Sequence, residues 1–272
     1  MSRLAGLTAA LIDDAAVFPP GDAPLADAVA AAYGRADGPT EQLVGPLLVP
    51  ASATARLREL ADPQRILRVA LVGDTGLEGL EAARDALQDD PWIELAHVEL
   101  AVPRDADPAR ATAHLLERLS FTVPAYLELP LDQDPRPALA ALAADGVERA
   151  KFRCGPDVIP ATADLARALS AAVAANVPFK LTGGLHHALP AVEAGTRHHG
   201  FLNALAATAL ALAGAEEDHL VAVLGSSDVT TVLAALDTAD VGRVRRQFRS
   251  FGSCSIAEPY DDLVRLGLQE ES

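Results

Sequence analysis

The sequence predicts an α/β fold: one (β/α)8 TIM-type barrel over residues 1–272, with an N-terminal cap segment and a long loop after strand six. Short β-like runs alternate with Ala- and Leu-rich helical segments along nearly the whole chain. Eight such runs occur, and a βα unit of roughly 30 residues repeated eight times gives the size of this barrel. No linker rich in Gly, Ser or Pro divides the chain, so we expect one domain.

The strand assignments follow from apolar runs bounded by turn residues. Helices between them are indicated by N-cap residues and prolines at Ser52, Asp107-Pro108, Thr162 and Ser227-Asp228. The eight predicted strands are residues 43–49, 66–72, 93–100, 125–129, 149–153, 178–182, 219–224 and 248–255.

Two segments fall outside the repeat. Residues 1–40 precede the first predicted strand and are expected to cap one barrel end, unless residues 15–18 form a first strand and shift the count. Residues 183–218 form an extended connection after strand six and contain four of the seven histidines. Long loops at the carboxyl ends of barrel strands build pockets and lids, so we expect a lid-like role for this connection.

Composition limits the function classes. The net charge of −16 argues against nucleic acid or an anionic membrane as partner. The most apolar helix candidate, residues 200–214, is too short to span a bilayer. Cys154 and Cys254 form no disulfide framework and no signal-peptide cleavage region is evident, so a cytoplasmic location is expected. Dinucleotide-binding and P-loop motifs are absent from the sequence.

The chain has only two lysines, Lys151 and Lys180, against twenty arginines. Both fall near the ends of predicted strands. Lysine differs from arginine in that a desolvated amine can lose its proton and act as a nucleophile. Two neighbouring cations and burial both disfavour protonation, so we expect one amine to be neutral and able to form a Schiff base.

Polar side chains at alternate strand positions are expected to point into the barrel and meet at its mouth. From them we select Lys180, Lys151, Glu128 and Glu99 as catalytic candidates, with the glutamates as general acid or base. The alternative is that these charges only form ion pairs and fill the barrel with a neutral network. The pairs that share a face are His97 with Glu99, Tyr126 with Glu128, Lys151 with Arg153, Lys180 with Thr182, and Ser253 with Ser255.

A second set of residues is expected to bind an anionic substrate group. Gly183 and Gly184 permit close approach of a ligand. Gly225 to Ser227 end predicted strand seven and open a helix, where backbone N–H groups hold phosphates, although Ser227 or Asp228 acting as a simple N-cap is the alternative. The anion-binding candidates are Arg153, Thr182, Gly183, Gly184, His186, His187, Gly225, Ser226, Ser227 and Ser253.

The segment Phe179-Lys180-Leu181-Thr182-Gly183-Gly184 resembles the strand-six Lys-Thr-Ser-Thr-Gly motif of class I aldolases of the deoxyribose-phosphate aldolase type. The resemblance implies that Lys180 is the Schiff-base nucleophile and that Lys151 perturbs it. Those aldolases carry their second lysine on the following strand, whereas Lys151 is on the preceding one. Lys-Phe-Arg at 151–153, Gly-Leu-His-His at 184–187 and His-Gly-Phe-Leu-Asn at 199–203 resemble an uncharacterised bacterial (β/α)8-barrel family, which implies no activity.

The sequence therefore predicts a lyase or isomerase that acts on an anionic carbonyl compound, a sugar phosphate or oxo acid, through Lys180. The expected partner is this small anionic substrate, a homo-oligomer is left open, and no cofactor is predicted.

Two alternatives remain open. In the first, a divalent metal serves a hydrolase or lyase and is held by loop histidines with Glu99 or Glu128. In the second, the barrel binds anions without catalysis, and the apolar helix after His199 forms an oligomer interface. The candidate histidine ligands are His186, His187, His198 and His199, with His186, His187 and His199 as the preferred set.

Overall fold

The structure, a computed structural model, describes residues 3–36, 38–104, 106–155, 159–193 and 195–269. Eight of its ten strands are parallel and close into a barrel, which confirms the predicted (β/α)8 fold. The strands are β1 (Ile12–Asp14), β2 (Val44–Pro50), β3 (Leu67–Val72), β4 (Ile93–Ala101), β5 (Ala125–Leu129), β6 (Arg149–Arg153), β7 (Phe179–Thr182), β8 (Ala191–Glu193), β9 (Thr196–His198) and β10 (Phe248–Ser253). β8 and β9 form a separate antiparallel hairpin.

The helices pack around the barrel through apolar stripes. In the fourth helix, for example, Leu77, Leu80, Ala83 and Leu87 are buried at intervals of three or four residues, which places them on one face. The helices are α1 (Arg3–Thr8), α2 (Leu25–Gly34), α3 (Thr54–Leu60), α4 (Gly76–Leu87), α5 (Pro108–Leu116), α6 (Arg136–Asp145), α7 (Thr162–Ala174), α8 (Phe201–Leu212), α9 (Glu217–Gly225), α10 (Val229–Asp237), α11 (Val241–Gln247) and α12 (Ala257–Arg265).

The strand order around the barrel is β1-β10-β7-β6-β5-β4-β3-β2. The register sets Lys151 opposite Lys180 on the neighbouring strand, and Lys151 opposite Glu128 on the other side. Asp13 lies opposite Gly252 where β1 joins β10. Because paired residues in parallel strands share a face, these polar side chains converge inside the barrel.

One predicted strand is wrong: residues 219–224 lie in α9, not in a strand. Leu220, Val223 and Leu224 are buried, and their spacing is helical rather than alternating. Glu217 and Asp218 in the first turn favour a helix, because acidic side chains there oppose the positive end of the helix dipole.

The eighth barrel strand comes instead from the N-terminal segment. β1 is hydrogen-bonded on both sides, with Ile12 N donating to Leu43 O at 3.0 Å and Ala15 N donating to Ser253 O at 2.8 Å. The cap predicted for residues 1–40 is thus corrected, since this segment supplies a strand at Ile12–Asp14, just before the alternative position at residues 15–18.

Helix α8 is buried inside the fold. Its residues from Phe201 to Ala209 are all buried, because the helix packs between α7, α9 and α10. The oligomer interface predicted on this helix is thus not supported from Phe201 to Ala209, since that apolar surface is covered by the chain itself. None of the helices in the described ranges has the length and apolarity needed to cross a membrane.

Candidate functional site

A cavity of about 140 Å³ lies at the carboxyl-terminal end of the barrel; we call it the mouth cavity. Glu99 and Lys151 form its floor, and it is walled by strand ends, by Phe18 to Pro20, and by the loop after β7. Further residues on its wall are Arg153, Thr182, Gly183, Gly184, His186, Glu193, His198, Gly252 and Cys254.

Lys180 lies below this cavity and is completely buried, with a relative exposure of 0%. Its ammonium contacts Oδ2 of Asp13 at 2.5 Å and also Oε1 of Glu99. Burial alone would lower the pKa of Lys180, but the two carboxylates outweigh burial and raise the pKa above its ordinary value. The two carboxylates therefore favour the charged form of Lys180, and Lys180 does not line the mouth cavity. The Schiff-base role of Lys180 stays a prediction.

Lys151 is the lysine that reaches the mouth cavity. Its Nζ atom lies 2.7 Å from Oε2 of Glu99 and 2.9 Å from Oε2 of Glu128. Burial alone would raise the pKa of Glu99, but Lys151 and Lys180 hold it well below its usual range. Glu99 is thus an ionised bridge between the two lysines.

Arg153 binds Glu128 through two parallel hydrogen bonds, from Nε to Oε1 at 2.7 Å and from Nη2 to Oε2 at 3.0 Å. Burial would raise the pKa of Glu128, yet Lys151 and Arg153 lower it to about 2. The predicted ion pairs between these strands are therefore present. The interior charges balance, with the cations Lys151, Lys180 and Arg153 against the anions Asp13, Glu99 and Glu128.

His97 completes the buried network. Its Nε2 atom lies 3.1 Å from Oε1 of Glu99 and 3.4 Å from Nζ of Lys180, and its ring meets that of Tyr126 edge-on at 4.9 Å. Burial, together with the charge of Lys180, lowers the pKa of His97. His97 is thus a neutral imidazole at neutral pH.

Asp13, His97 and Glu99 could hold a metal ion, because their ligand atoms all lie within 4.8 Å of one another. This is the only such group of three among the described residues. The Lys180 ammonium contacts all three side chains. A cation bound here would therefore have to replace the ammonium.

The predicted histidine ligands are not gathered around one point. His186 Nδ1 lies 2.9 Å from Glu258, and His187 lies between Glu193 at 2.9 Å and Asp262 at 3.2 Å. His199 is buried, and its Nε2 contacts the Pro160 carbonyl at 2.9 Å. His186 and His199 have separate partners, whereas Glu193 lies near both His187 at 2.9 Å and His198 at 4.0 Å. Among the described residues these rings do not form a metal-ligand group, so the site predicted on the loop histidines is not supported.

Gly183 and Gly184 adopt φ values of +74° and +65°, which favour glycine. A Cβ atom on Gly183 would lie 2.1 Å from the Gly155 carbonyl oxygen, and one on Gly184 would lie 2.6 Å from the Cys154 carbonyl oxygen. The group that lies closest to these glycines is therefore the backbone that follows β6, rather than a ligand. Both glycines also line the mouth cavity.

The loop Gly225 to Ser227 lies away from the mouth cavity, because it follows helix α9 rather than a barrel strand. The next helix is capped by Asp228, whose carboxylate accepts from the backbone N–H groups of Thr230 and Thr231. A carboxylate already occupies the position where an anion was expected.

Ser253 also differs from the prediction. Its partner on β1 is Asp14, and its hydroxyl donates to the Ser255 carbonyl at 2.6 Å. The inward positions of β10 are Ser250, whose hydroxyl donates to Asp13 at 2.7 Å, and Gly252 in the mouth cavity. The inward face predicted for Ser253 is therefore wrong, because the inward positions of β10 include Gly252, one residue earlier.

Cys254 was not selected from the sequence, yet it lines the mouth cavity and is half-buried. Its Sγ atom lies 3.7 Å from Nε2 of His186. Burial raises the pKa of the Cys254 thiol. The predicted site residues also omit Asp13, Glu193 and Ser250. His97 is omitted as well, although alternation along the strand places it on the same face as Glu99. No local pattern in the sequence marks Asp13 as a barrel residue.

No protein-family model and no curated protein matches the sequence of this chain. The aldolase resemblance thus stays a prediction. The fold is one that many enzymes use, with active sites at the carboxyl-terminal end of the barrel, where the mouth cavity lies.

Proposed function

We propose that this chain is a lyase or isomerase that acts on a small anionic carbonyl compound, such as an oxo acid or a sugar phosphate, in the mouth cavity. The observation behind the proposal is that the Lys151 ammonium and the Arg153 guanidinium line the same small cavity at the catalytic end of the barrel. Fixed cations in a secluded site favour bound anions and the negative charge of an enolate.

In this proposal Lys151 is the electrophile. Its ammonium would polarise the carbonyl oxygen and stabilise the charge that develops there once a proton or a carbon substituent leaves. Lys180 acts as a positioning residue, because it holds Glu99 ionised from below without lining the cavity. This assignment replaces the Schiff-base role that the sequence suggested for Lys180.

A histidine is better suited than a glutamate to move the proton. The pKa values of Glu99 and Glu128 are lowered, so both carboxylates are weak bases. His198 lines the cavity, and its buried Nδ1 atom has no hydrogen-bond partner among the described residues. An imidazole nitrogen without a hydrogen-bond partner can accept a proton, so we assign His198 as the general base.

The test is solvent hydrogen exchange. The protein is incubated in ²H₂O with a panel of 2-oxo acids and sugar phosphates, and loss of the proton signal next to the carbonyl is followed by NMR. We expect exchange with at least one compound, slowed about 100-fold or more in Lys151→Met and in His198→Ala. Arg56→Gln, which removes an exposed ion pair with Glu59, is the matched control and should not change the rate.

Absence of exchange across the panel, or an undiminished rate in Lys151→Met, would contradict the proposal. Borohydride reduction in the presence of active compounds separates the two lysine mechanisms. We expect no reduced adduct on either lysine by mass spectrometry, because both amines are ion-paired ammonium groups. A trapped adduct on Lys180 would favour the Schiff-base route instead.

A further inference from the structure

A second cavity, of about 360 Å³, lies at the opposite end of the barrel; we call it the amino-terminal cavity. Its wall is formed by residues at or near the beginnings of strands, such as Gly45 in β2, Tyr126 in β5 and Arg149 in β6. Ala9 and Ala10, which follow helix α1, close one side. The buried contacts of Lys180 with Asp13 and Glu99 separate this cavity from the mouth cavity.

Positive charge is concentrated in this cavity, although the chain as a whole carries a net charge of −16. Four arginines line it, and within the described ranges only one of the four, Arg68, forms an ion pair, with Glu94 at 3.1 Å. For Arg149, Arg245 and Arg249, the described residues supply no carboxylate within ion-pair distance. The Asp13 carboxylate also lines the cavity but is already engaged by Lys180 and Ser250.

The three unpaired guanidinium groups are held by neutral acceptors. Arg149 donates to the Tyr126 hydroxyl at 2.9 Å, and its guanidinium carbon lies 5.4 Å from the centre of that ring. Arg245 donates to the carbonyls of Phe248 at 2.7 Å and Ala9 at 3.0 Å. Arg249 donates to the Arg245 carbonyl at 3.2 Å. The groups are thus positioned without being neutralised.

The pKa of Arg245 reflects the closeness of these guanidinium groups. Burial and the neighbouring charge of Arg249 lower the pKa of Arg245 to about 10. An anion between these side chains would relieve both effects, because it would replace the lost solvation and oppose the repulsion.

We propose that the amino-terminal cavity is a binding site for a small oxyanion, a phosphate- or carboxylate-bearing molecule, held by Arg149, Arg245 and Arg249. Guanidinium groups present paired N–H donors that match the oxygens of these anions. The site is distinct from the mouth cavity, and the proposal does not depend on the function proposed there.

The test measures the binding of inorganic phosphate and sulfate to the full chain by calorimetry and thermal unfolding, with chloride holding the ionic strength constant. We expect saturable binding to the wild type, with affinity at least about tenfold weaker in Arg149→Gln and Arg249→Gln. Arg246→Gln removes the same charge from an exposed neighbour in α11 and should bind like the wild type. Arg153→Gln removes a cation from the mouth cavity, so phosphate binding that persists in this variant is assigned to the amino-terminal cavity.

A second measurement needs no variant. Phenylglyoxal modifies accessible arginines, and we expect phosphate to protect Arg149 and Arg249 when the modified sites are mapped by mass spectrometry. Three outcomes overturn the proposal: no saturable binding of either anion, equal weakening in Arg246→Gln and Arg249→Gln, or protection that falls on Arg153 while Arg149 and Arg249 react as before.

Discussion

The ammonium of Lys151 lies 2.7 Å from Oε2 of Glu99, across the barrel interior from β6 to β4. The other oxygen of the same carboxylate contacts Lys180, so one glutamate is shared by both lysines of the chain. The two lysines differ in their other carboxylate partners. Lys180 also neutralises Asp13, whereas Lys151 shares Glu128 with Arg153.

This difference predicts unequal stability losses. Lys180→Met leaves Asp13 without a cationic partner in a fully buried position, so we expect a loss of about 3–5 kcal/mol in the free energy of unfolding. Lys151→Met should cost less, because Glu99 keeps Lys180 and Glu128 keeps Arg153. Urea denaturation of both variants measures the difference. Equal losses, or a larger loss in Lys151→Met, would show that the buried Lys180–Asp13 pair is not the main determinant of the difference in stability.

Removal of Lys180 should also create a metal site. In Lys180→Met, Asp13, His97 and Glu99 keep their ligand atoms within 4.8 Å of one another, and no ammonium stands among them. We expect Zn²⁺ or Mn²⁺ to raise the unfolding temperature of this variant, and EDTA to leave that of the wild type unchanged. His97→Ala added to Lys180→Met should abolish the metal effect. A similar response to metal in the wild type would mean that Lys180 does not exclude the ion.

The lowered pKa of Glu128 predicts that the contribution of this residue to stability depends on pH. Its pKa falls from 4.5 to about 2 on folding, so its ionised form stabilises the fold above the unfolded-state value, and this contribution is lost as pH falls through about 2. The shift corresponds to roughly 3 kcal/mol. Glu128→Gln should therefore be destabilised near neutral pH, and its difference from the wild type should shrink on acidification.

Urea midpoints measured from neutral to low pH test this prediction. Glu59→Gln is the control, because its ion pair with Arg56 is exposed and its removal should cost little at any pH. A difference between Glu128→Gln and the wild type that does not change with pH would contradict the assignment of the low pKa to this carboxyl.

Most of the barrel could be predicted because its strands are short apolar runs at regular spacing. β1 was missed because it has only three residues and two of them are aspartates. The run at 219–224 was read as a strand because a short apolar segment suits a strand or a buried helix face equally well. Only its burial at helical spacing distinguishes the two.

The site was predicted in part for a related reason. Alternation along one strand correctly put Glu99, Lys151 and Arg153 inside the barrel. It does not show which side chains from distant strands meet at the same depth. Lys180 contacts Asp13, which is 167 residues away, and that contact buries the lysine and keeps it charged. Because β1 was not among the predicted strands, Asp13 could not be identified as the partner of Lys180. The sequence therefore suggested a reactive amine at Lys180.

The two cysteines should report on the mouth cavity. Cys154 is fully buried, and burial raises its pKa to about 12, so it should not react with a thiol reagent in the native protein. Cys254 is half-buried and lines the mouth cavity, so we expect one thiol per native chain to react. The reaction should be slow at neutral pH and faster as pH rises, because burial raises the pKa of Cys254 and the thiolate is the reactive form. Cys254→Ser should abolish the labelling.

Ligand protection separates the two cavities. A compound that binds beside Lys151 and Arg153 should slow the labelling of Cys254. Phosphate bound at Arg149 and Arg249 should not slow it, because the two cavities lie at opposite ends of the barrel. Labelling of both cysteines in the folded protein, or protection by phosphate in Arg153→Gln, would contradict this separation of the two sites.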